Sequence, residues 1–433
     1  MTSRVKKKIS IFIFALSLFG YSYGQKCATT YRDSIALQTN PDYLKQRIER
    51  IARSTTAEKL SDGLKHTLLY IPTVVHVIHT SEAGIISDDP NIGNISKEQI
   101  MSQIEVLNQD YRRKFGSPGF NDLPEGADME IEFCMAKLDP QGQATDGITR
   151  HYRAKDEYDA GADDGEIKGI VHWPADQYMN VYVVPRLSDN FLGYASFPED
   201  PRETDGIVMS NRYFGNRTGT SIDAFAFPYN RGRTMTHEVG HWLGLVHIWG
   251  DGNCAVDDGC DDTPDSDAGN FGCDTTHESC GSPDMVRNYM DYSDDHCFNI
   301  FTQCQKLLTR NIFDANLPNN RSSFLLSSLT GSINCDLGQD TTDNNPIREN
   351  VKIGTVDQVE GRYLIFNLDP GTDYKITIFN LQGKRLEDAF IRSNAFGEIQ
   401  FALSAERRGI YIMKIHYKNG DTQRFKIYGP LKP

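Results

Sequence analysis

The chain has 433 residues, a formal net charge of −14 and nine cysteines. That length suggests two or three domains with ample core. The acidic balance argues against nucleic acid or an anionic membrane as the main partner and agrees with a soluble, exported, cation-binding protein; the odd cysteine count leaves at least one outside any intramolecular pairing.

Residues 1–24 read as a secretory signal. Arg4 and Lys6-Lys7-Lys8 form a basic start, Ile9 to Phe19 is an apolar run too short to span a bilayer, and Ser22 and Gly24 precede a cut before Gln25. Lys26 makes Cys27 a poor lipidation site, and no other stretch suits a membrane span, so no stable membrane insertion is expected. Passage through the periplasm to the medium or the cell surface makes disulfides possible. Residues 25–54 are charged and polar, with Cys27 near the start and Arg47, Arg50 and Arg53 toward the end.

A globular region begins near His66. Leu69 to His79 predicts a core strand, with His76 and His79 on opposite faces and structural. Ile95 to Arg113 predicts an amphipathic helix, N-capped by Ser96, with Ile100, Ile104, Leu107 and Tyr111 on one face. Met129–Cys134 and Met179–Val184 predict further strands. Leu192–Pro198 and Asp205–Met209 follow, where an edge strand could pair with an extended substrate.

The most informative stretch is His237-Glu238-Val239-Gly240-His241-Trp242-Leu243-Gly244-Leu245-Val246-His247. Histidines four apart on a helix share a face, so His237 and His241 can both reach one Zn²⁺ at about 2.0–2.1 Å. Gly244 lets the chain leave the helix, because glycine accepts positive φ, and His247 can swing back as the third ligand. Three protein ligands leave a fourth position open, the mark of a catalytic rather than a structural zinc. Glu238 stands beside the first ligand, where a general base would take the proton of a bound water. The HExxHxxGxxH pattern is the metzincin signature. A thiolate is a good fourth zinc ligand, so Cys27 reads as a latency plug that displaces the catalytic water.

Gly250 to Asp284 is rich in Asp, Gly and Cys and poor in aliphatic residues. Such a segment cannot bury a core. Bridges or ions must hold it, and Ca²⁺ suits its clustered carboxylates and carbonyls. Asn288-Tyr289-Met290-Asp291-Tyr292 then offers a methionine turn beneath the metal and a tyrosine hydroxyl able to stabilise an oxyanion.

The zinc motif, Asp262-Thr263-Pro264, Asn288 to Tyr292, and Phe301-Thr302 with Gln305 together resemble the pappalysin family of metzincins over roughly residues 60–325. Cys27-Ala28-Thr29 is similar to that family's Cys-Gly-Thr latency motif, with Ala28 in the glycine position. The resemblance implies one catalytic zinc on His237, His241 and His247, Glu238 as base, Met290 in the Met-turn and Tyr292 assisting the transition state. It implies one or two structural calcium ions, around Asp258, the Cys260 carbonyl, Asp262 and Thr263, and disulfides Cys254–Cys280 and Cys273–Cys297. Cys260, Cys304 and Cys335 receive no partner from it. Its bacterial members cleave on the amino side of Arg or Lys. Asp294 and Asp295 are placed to floor a pocket for such a side chain, and the arginines near position 50 to serve as self-processing sites.

Asp336 to Asn350 is linker-like. Beyond it Tyr363–Phe366, Tyr374–Phe379, Gly397–Phe401, Gly409–Ile415 and Gln423–Tyr428 alternate as strands, with a hairpin turn at Lys418–Asp421. They predict a small β-sandwich. The pattern Ile378 to Lys384, with Gly409-Ile410-Tyr411 and Phe425-Lys426-Ile427, resembles the C-terminal sorting domain of the type IX secretion system, which implies outer-membrane secretion machinery as a partner.

The expectation is an α+β metzincin catalytic domain, a twisted mixed sheet plus helices with zinc in the cleft, followed by an all-β sandwich. Its boundaries are a signal at 1–24, a latency segment at 25–54, the protease domain at 55–335, a linker at 336–350 and the sandwich at 351–433. The expected activity is zinc-dependent hydrolysis of protein and peptide substrates. The alternative is a surface adhesin with an inert metzincin fold, against which Glu238 speaks, since a pure binder needs no base there.

Overall fold

A computed structural model describes residues 27–56, 68–314 and 319–326 and, further on, 352–357, 362–366, 368–369, 371–380, 384–394, 398–402, 410–416 and 422–428. The expected signal at 1–24, the linker at 336–350, Cys335 and the turn at Lys418–Asp421 lie outside these residues. Two compact units divide between Leu337 and Gly338. No described helix is long and apolar enough to cross a membrane.

The first unit is built on a six-stranded mixed sheet. Its strands are β1 (Leu69–His79), β2 (Ile131–Met135), β3 (Ile148–Tyr152), β4 (Met179–Val184), β5 (Gly193–Ala195) and β6 (Ile207–Ser210). Their order is β2-β1-β4-β6-β5, and β3 also pairs with β1. All pairings are parallel except β5 with β6, so the short antiparallel strand β5 forms the edge. Strands covered on both faces read as continuous apolar runs, and every residue of β4 and β6 is buried. Successive side chains alternate between faces: Val181, Val183, Ile207 and Met209 join one core, Tyr182, Val184 and Val208 the other. β3 was not foreseen, because Ile148-Thr149-Arg150-His151-Tyr152 is only half-buried and alternates weakly.

Helices α1 (Thr29–Thr39) and α2 (Tyr43–Thr56) precede β1, where the sequence showed only polarity. The buried positions of α2 are Tyr43, Arg47, Arg50 and Ser54, a helical spacing of three and four. Two of them are arginines, so apolar periodicity is silent. The expected boundary between residues 54 and 55 falls inside this helix.

α3 (Lys97–Tyr111) is N-capped by Ser96, whose side chain accepts the Gln99 N–H at 3.1 Å, and it buries Ile100, Ile104, Leu107 and Tyr111. Two short helices, α4 (Asp164–Ile170) and α5 (Asp223–Ala226), lead to α6 (Arg233–Trp242), in which all ten residues are buried. After it, β7 (Glu278–Ser279) and β8 (Ser282–Pro283) make a minimal hairpin, and α7 (Gln303–Asn311) begins with a capping box between Thr302 and Gln305. A last turn, α8 (Ser323–Leu326), closes the described part of the unit.

Disulfides join Cys254–Cys280 and Cys273–Cys297, as the resemblance implied. Cys260 and Cys304, which had no assigned partner, bond to each other. They lie 44 residues apart, and only the approach of α7 to the acidic loop pairs them. Cys134 is disulfide-bonded too, whereas Cys27 is free and buried.

The second unit is a β-sandwich. β10 (Arg362–Phe366) pairs between β9 (Lys352–Asp357) and β13 (Ile399–Ala402). The other sheet runs β12 (Arg385–Arg392), β11 (Asp373–Asn380), β14 (Ile410–His416), β15 (Thr422–Tyr428). Every pairing is antiparallel. Tyr363, Ile365, Tyr374, Ile376, Ile378, Phe401, Met413 and Ile415 fill the core. β9 and β12 were missed. β12 is an edge strand with no fully buried residue, so its pattern lacks an apolar face.

Candidate active site

α6 carries the first two histidines on its buried face. Gly244 follows at φ +94°, in the left-handed region that glycine tolerates, and its N–H donates to His241 O at 2.8 Å. The turn brings His247 back under the helix. The three Nε2 atoms then lie 3.0 Å (His237–His241), 3.2 Å (His241–His247) and 3.3 Å (His237–His247) apart.

Each Nδ1 is committed elsewhere. His237 donates to Tyr289 O at 2.7 Å, His241 to Leu245 O at 2.8 Å, and His247 to the Asp251 carboxylate. A carbonyl or carboxylate oxygen only accepts, so the hydrogen sits on Nδ1 and each Nε2 points inward with a lone pair. Three converging lone pairs repel one another unless a cation lies between them. A tetrahedral Zn²⁺ with nitrogens at 2.0–2.1 Å would separate them by about 3.3 Å, so the donor set fits zinc. Burial, then the neighbouring histidines, hold His241 well below its usual pKa, in the neutral form a ligand requires.

Asp251 went unnoticed in the sequence. It orients His247 as carboxylates orient metal-bound imidazoles, and its only signal is its place four residues past the last histidine. Trp249 was missed too: its ring stacks on His247 with centroids 4.4 Å apart and planes at 4°, and it meets Tyr292 edge-on at 4.8 Å.

Met290 is fully buried beneath α6. A Cβ on Gly240 would meet its sulfur at 2.3 Å, so the close approach requires glycine. Asn288 and Gln305 exchange side-chain hydrogen bonds of 3.0 and 3.1 Å, which tie this turn to α7. Tyr292 packs 4.8 Å from His247 and 5.8 Å from His237.

Cys27 completes a four-residue group with the histidines, all ligand atoms lying within 4.8 Å of one another. Its segment pairs in parallel with the edge strand: Cys27 bridges Gly193, and the Ala28 N–H donates to Gly193 O at 2.9 Å. Thr29 Oγ1 donates to Glu238 Oε2 at 3.2 Å, with the Cys27 thiol 3.6 Å from the same oxygen. Burial pushes the Glu238 carboxyl up to about 8, and burial and the Glu238 charge push the Cys27 thiol well up. A divalent cation at the histidines reverses both tendencies, because it favours the anionic forms.

Leu192, Tyr229, Thr234, Asp291, Ser293, Asp295 and Phe298 line the cleft beside Cys27, His237, Glu238 and Tyr292. Asp295 is buried there, and its Oδ2 accepts the backbone N–H groups of Arg231 (2.8 Å) and Arg233 (3.2 Å), so it also caps the start of α6. Asp294 is half-buried and outside the cleft lining, contrary to its assignment to the pocket floor. Arg47 and Arg50 are buried and paired with carboxylates, which removes them as accessible processing sites; Arg53 is exposed.

In the acidic loop Asp258 Oδ1 accepts Thr263 Oγ1 at 2.8 Å, and that hydroxyl also lies 2.8 Å from Cys260 O. Asp262 Oδ1 is buried with no hydrogen-bond partner, and burial pushes Asp258 up to about 7. A buried carboxylate oxygen without a hydrogen-bond partner is a hard donor of the kind a calcium ion takes.

Residues 162–314 match the family model for the peptidase domain of pregnancy-associated plasma protein-A, and residues 345–428 match that for a secretion-system C-terminal sorting domain. An extracellular metalloprotease of Arthroderma otae is 32% identical over 243 residues, 54% of this chain and 74% of that protein. The chain belongs to the pappalysin family of metallopeptidases. Among solved structures, a promirolysin mutant from Tannerella forsythia is 33% identical with TM-score 0.58, covering 70% of this chain and 97% of the other. Mature mirolysin from the same organism, in complex with a cleaved peptide, is 35% identical with TM-score 0.53, covering 61% and 98%. A pappalysin is a zinc-type metalloendopeptidase, and the sorting domain marks this one for secretion or the cell surface.

Proposed function

We propose that this chain is a latent endopeptidase, activated by loss of its α1–α2 segment, that cleaves on the amino side of Arg or Lys. The carrying observation is the convergence of three Nε2 lone pairs and the Cys27 sulfur beside Glu238. His237, His241 and His247 would hold the zinc, which when bound supplies Lewis acidity to the scissile carbonyl and lowers the pKa of a water. Glu238 takes that water's proton and passes it to the leaving amine. Tyr292 stabilises the oxyanion with its hydroxyl. β5 pairs with the substrate backbone along the edge that Cys27 and Ala28 now occupy, and Asp295 receives the basic side chain downstream of the scissile bond. While Cys27 and Thr29 remain in place, the thiol would serve as a fourth donor beside the three histidines, and Thr29 engages Glu238. Asp258, Asp262, Thr263 and the Cys260 carbonyl bind structural calcium, and the C-terminal sandwich engages the outer-membrane export machinery.

The test is a digest of a peptide mixture by the processed protein in zinc and calcium, read by mass spectrometry, with Glu238→Ala alongside. Cleavage by wild type alone, with new peptides starting at Arg or Lys, is expected, and Asp295→Asn should lose that preference. Premature cleavage by unprocessed Cys27→Ala would report the latency plug. No cleavage by zinc-loaded, processed wild type would favour an inert adhesin.

A further inference from the structure

The α1–α2 segment brings three arginines to the catalytic unit, and they are not equivalent. Arg32 pairs with Asp164 at 2.6 Å, but Asp164 also holds Lys168 at 2.8 Å and keeps that partner when the segment leaves. Glu199 differs. Its side chain is fully buried, Arg50 Nε lies 2.6 Å from its Oε1, and Arg47 Nε lies 3.8 Å from its Oε2. Among the described residues Glu199 has no other cationic partner. The Arg47 guanidinium carbon also lies over Phe197, 3.5 Å from the ring centroid, and Phe197 is 5.2 Å from the ring of His241. Arg50 reaches further, to the carbonyl of Gly244 at 3.0 Å, the glycine that turns the chain out of α6.

An aromatic plate and a desolvated carboxylate, side by side, form a guanidinium receptor. Here it adjoins a catalytic ligand and is filled by a segment whose loss activates the enzyme. Departure of α1 and α2 takes both cations from Glu199, and a cationic side chain laid against Phe197 would pair with it again. We propose that, in the processed enzyme, Phe197 and Glu199 form a subsite for an arginine or lysine side chain of the substrate, upstream of the scissile bond.

The direction follows from β5 and rests on the proposed cleavage reading. The Asp295 pocket, with Leu192 in its wall, lies at the amino end of β5. Phe197 and Glu199 lie past its carboxyl end. A substrate with its downstream residue in the Asp295 pocket runs antiparallel to β5, and its upstream residues pass toward Glu199. Each extended residue advances about 3.3 Å, so a receptor past the carboxyl end of β5 meets a residue several positions before the scissile bond. The latency segment runs parallel to β5, and its α2 arginines occupy the receptor past the carboxyl end of that strand. Cleavage would then favour basic clusters over isolated basic residues.

The experiment uses full-length protein after its own maturation, loaded with zinc and calcium, on a proteome-derived peptide library. Wild type and Glu199→Gln are compared position by position. The expected result is Arg or Lys enriched several-fold at one of the upstream positions by wild type, lost in Glu199→Gln, with the downstream preference retained. A matched pair of peptides carrying Arg or its neutral isostere citrulline at that position isolates the charge in wild type alone. Citrulline should lower kcat/KM roughly tenfold, chiefly through KM. Flat upstream positions in wild type, an enrichment unchanged in Glu199→Gln, or equal rates for the two peptides would overturn the subsite. The downstream position reports Asp295 separately: its failure with the upstream preference intact would remove the Asp295 pocket and leave Glu199 standing.

Discussion

Helix α6 and the segment from Gly250 to Asp284 both touch the histidine cluster or its neighbours, and they are held by different physics. Every residue of α6 is buried, and its histidines are aimed by backbone carbonyls and by Met290 packed against Gly240. The acidic segment buries almost no aliphatic surface. It is folded by carboxylates and amides that accept their own chain's N–H groups, as at Asn253, Asp257, Asp258 and Asp274, and three disulfides pin it. Burial fixes ligand geometry to a few tenths of an ångström whatever the solvent contains. Bridges make the outer wall conditional on redox state, which suits a protein exported to an oxidising compartment.

The sharpest break in this contrast is chemical. Glu238→Gln should lower the processed enzyme's kcat about 10²–10⁴-fold while calorimetry finds its melting temperature no lower, because the buried carboxyl is held by function rather than packing. Next in size is the double change Cys260→Ser with Cys304→Ser. Losing a bridge of this span costs about 2–4 kcal/mol, and hydrogen exchange should localise the loosening to 250–284 and the start of α7, with α6 still protected.

The central sheet and the acidic segment should also answer pH in opposite directions. His76, buried in β1 between Thr149 and Asn180, is lowered to about 3 by desolvation. Its folded pKa lies below the unfolded value of about 6.5, so its contribution is present above pH 6.5 and lost as pH falls toward 3, about 2 kcal/mol by pH 5. Asp258 has the reverse sign. Raised to about 7 by burial, it favours folding below about pH 4 and loses that contribution as pH climbs through 7. Chemical denaturation across pH 5–8, with and without calcium, should show acid sensitivity that calcium does not change and an alkaline loss that calcium restores.

The smallest effect tests the seam. Thr302 caps α7, which carries both Cys304 and the Gln305 that holds Asn288. Thr302→Ala should cost about 1 kcal/mol and lower activity and disulfide resistance to reduction together, since one helix serves both regions.

Much of this was legible from local pattern. A helix repeat fixes which side chains share a face, so His237, His241 and the Gly244 turn announced the metal centre; apolar runs and alternation announced the strands of the sheet except β3, and alternation most of the sandwich. The 25–54 stretch was read as a latency segment from its cysteine, but not as helices, because the face it buries is made of arginines. The sequence alone therefore determined the three-histidine cluster with a carboxylate beside it and the two-unit layout, because each rests on residues within one or two turns or strands. Only the tertiary structure decided that Cys27 meets Glu238 across 211 positions, that Cys260 bonds Cys304, that Asp295 but not Asp294 reaches the cleft, and that Glu199 receives Arg47 and Arg50. Those pairings depend on which surfaces the sheet and α6 bring together, and a charged residue carries no periodic mark of the distant partner that makes its burial tolerable.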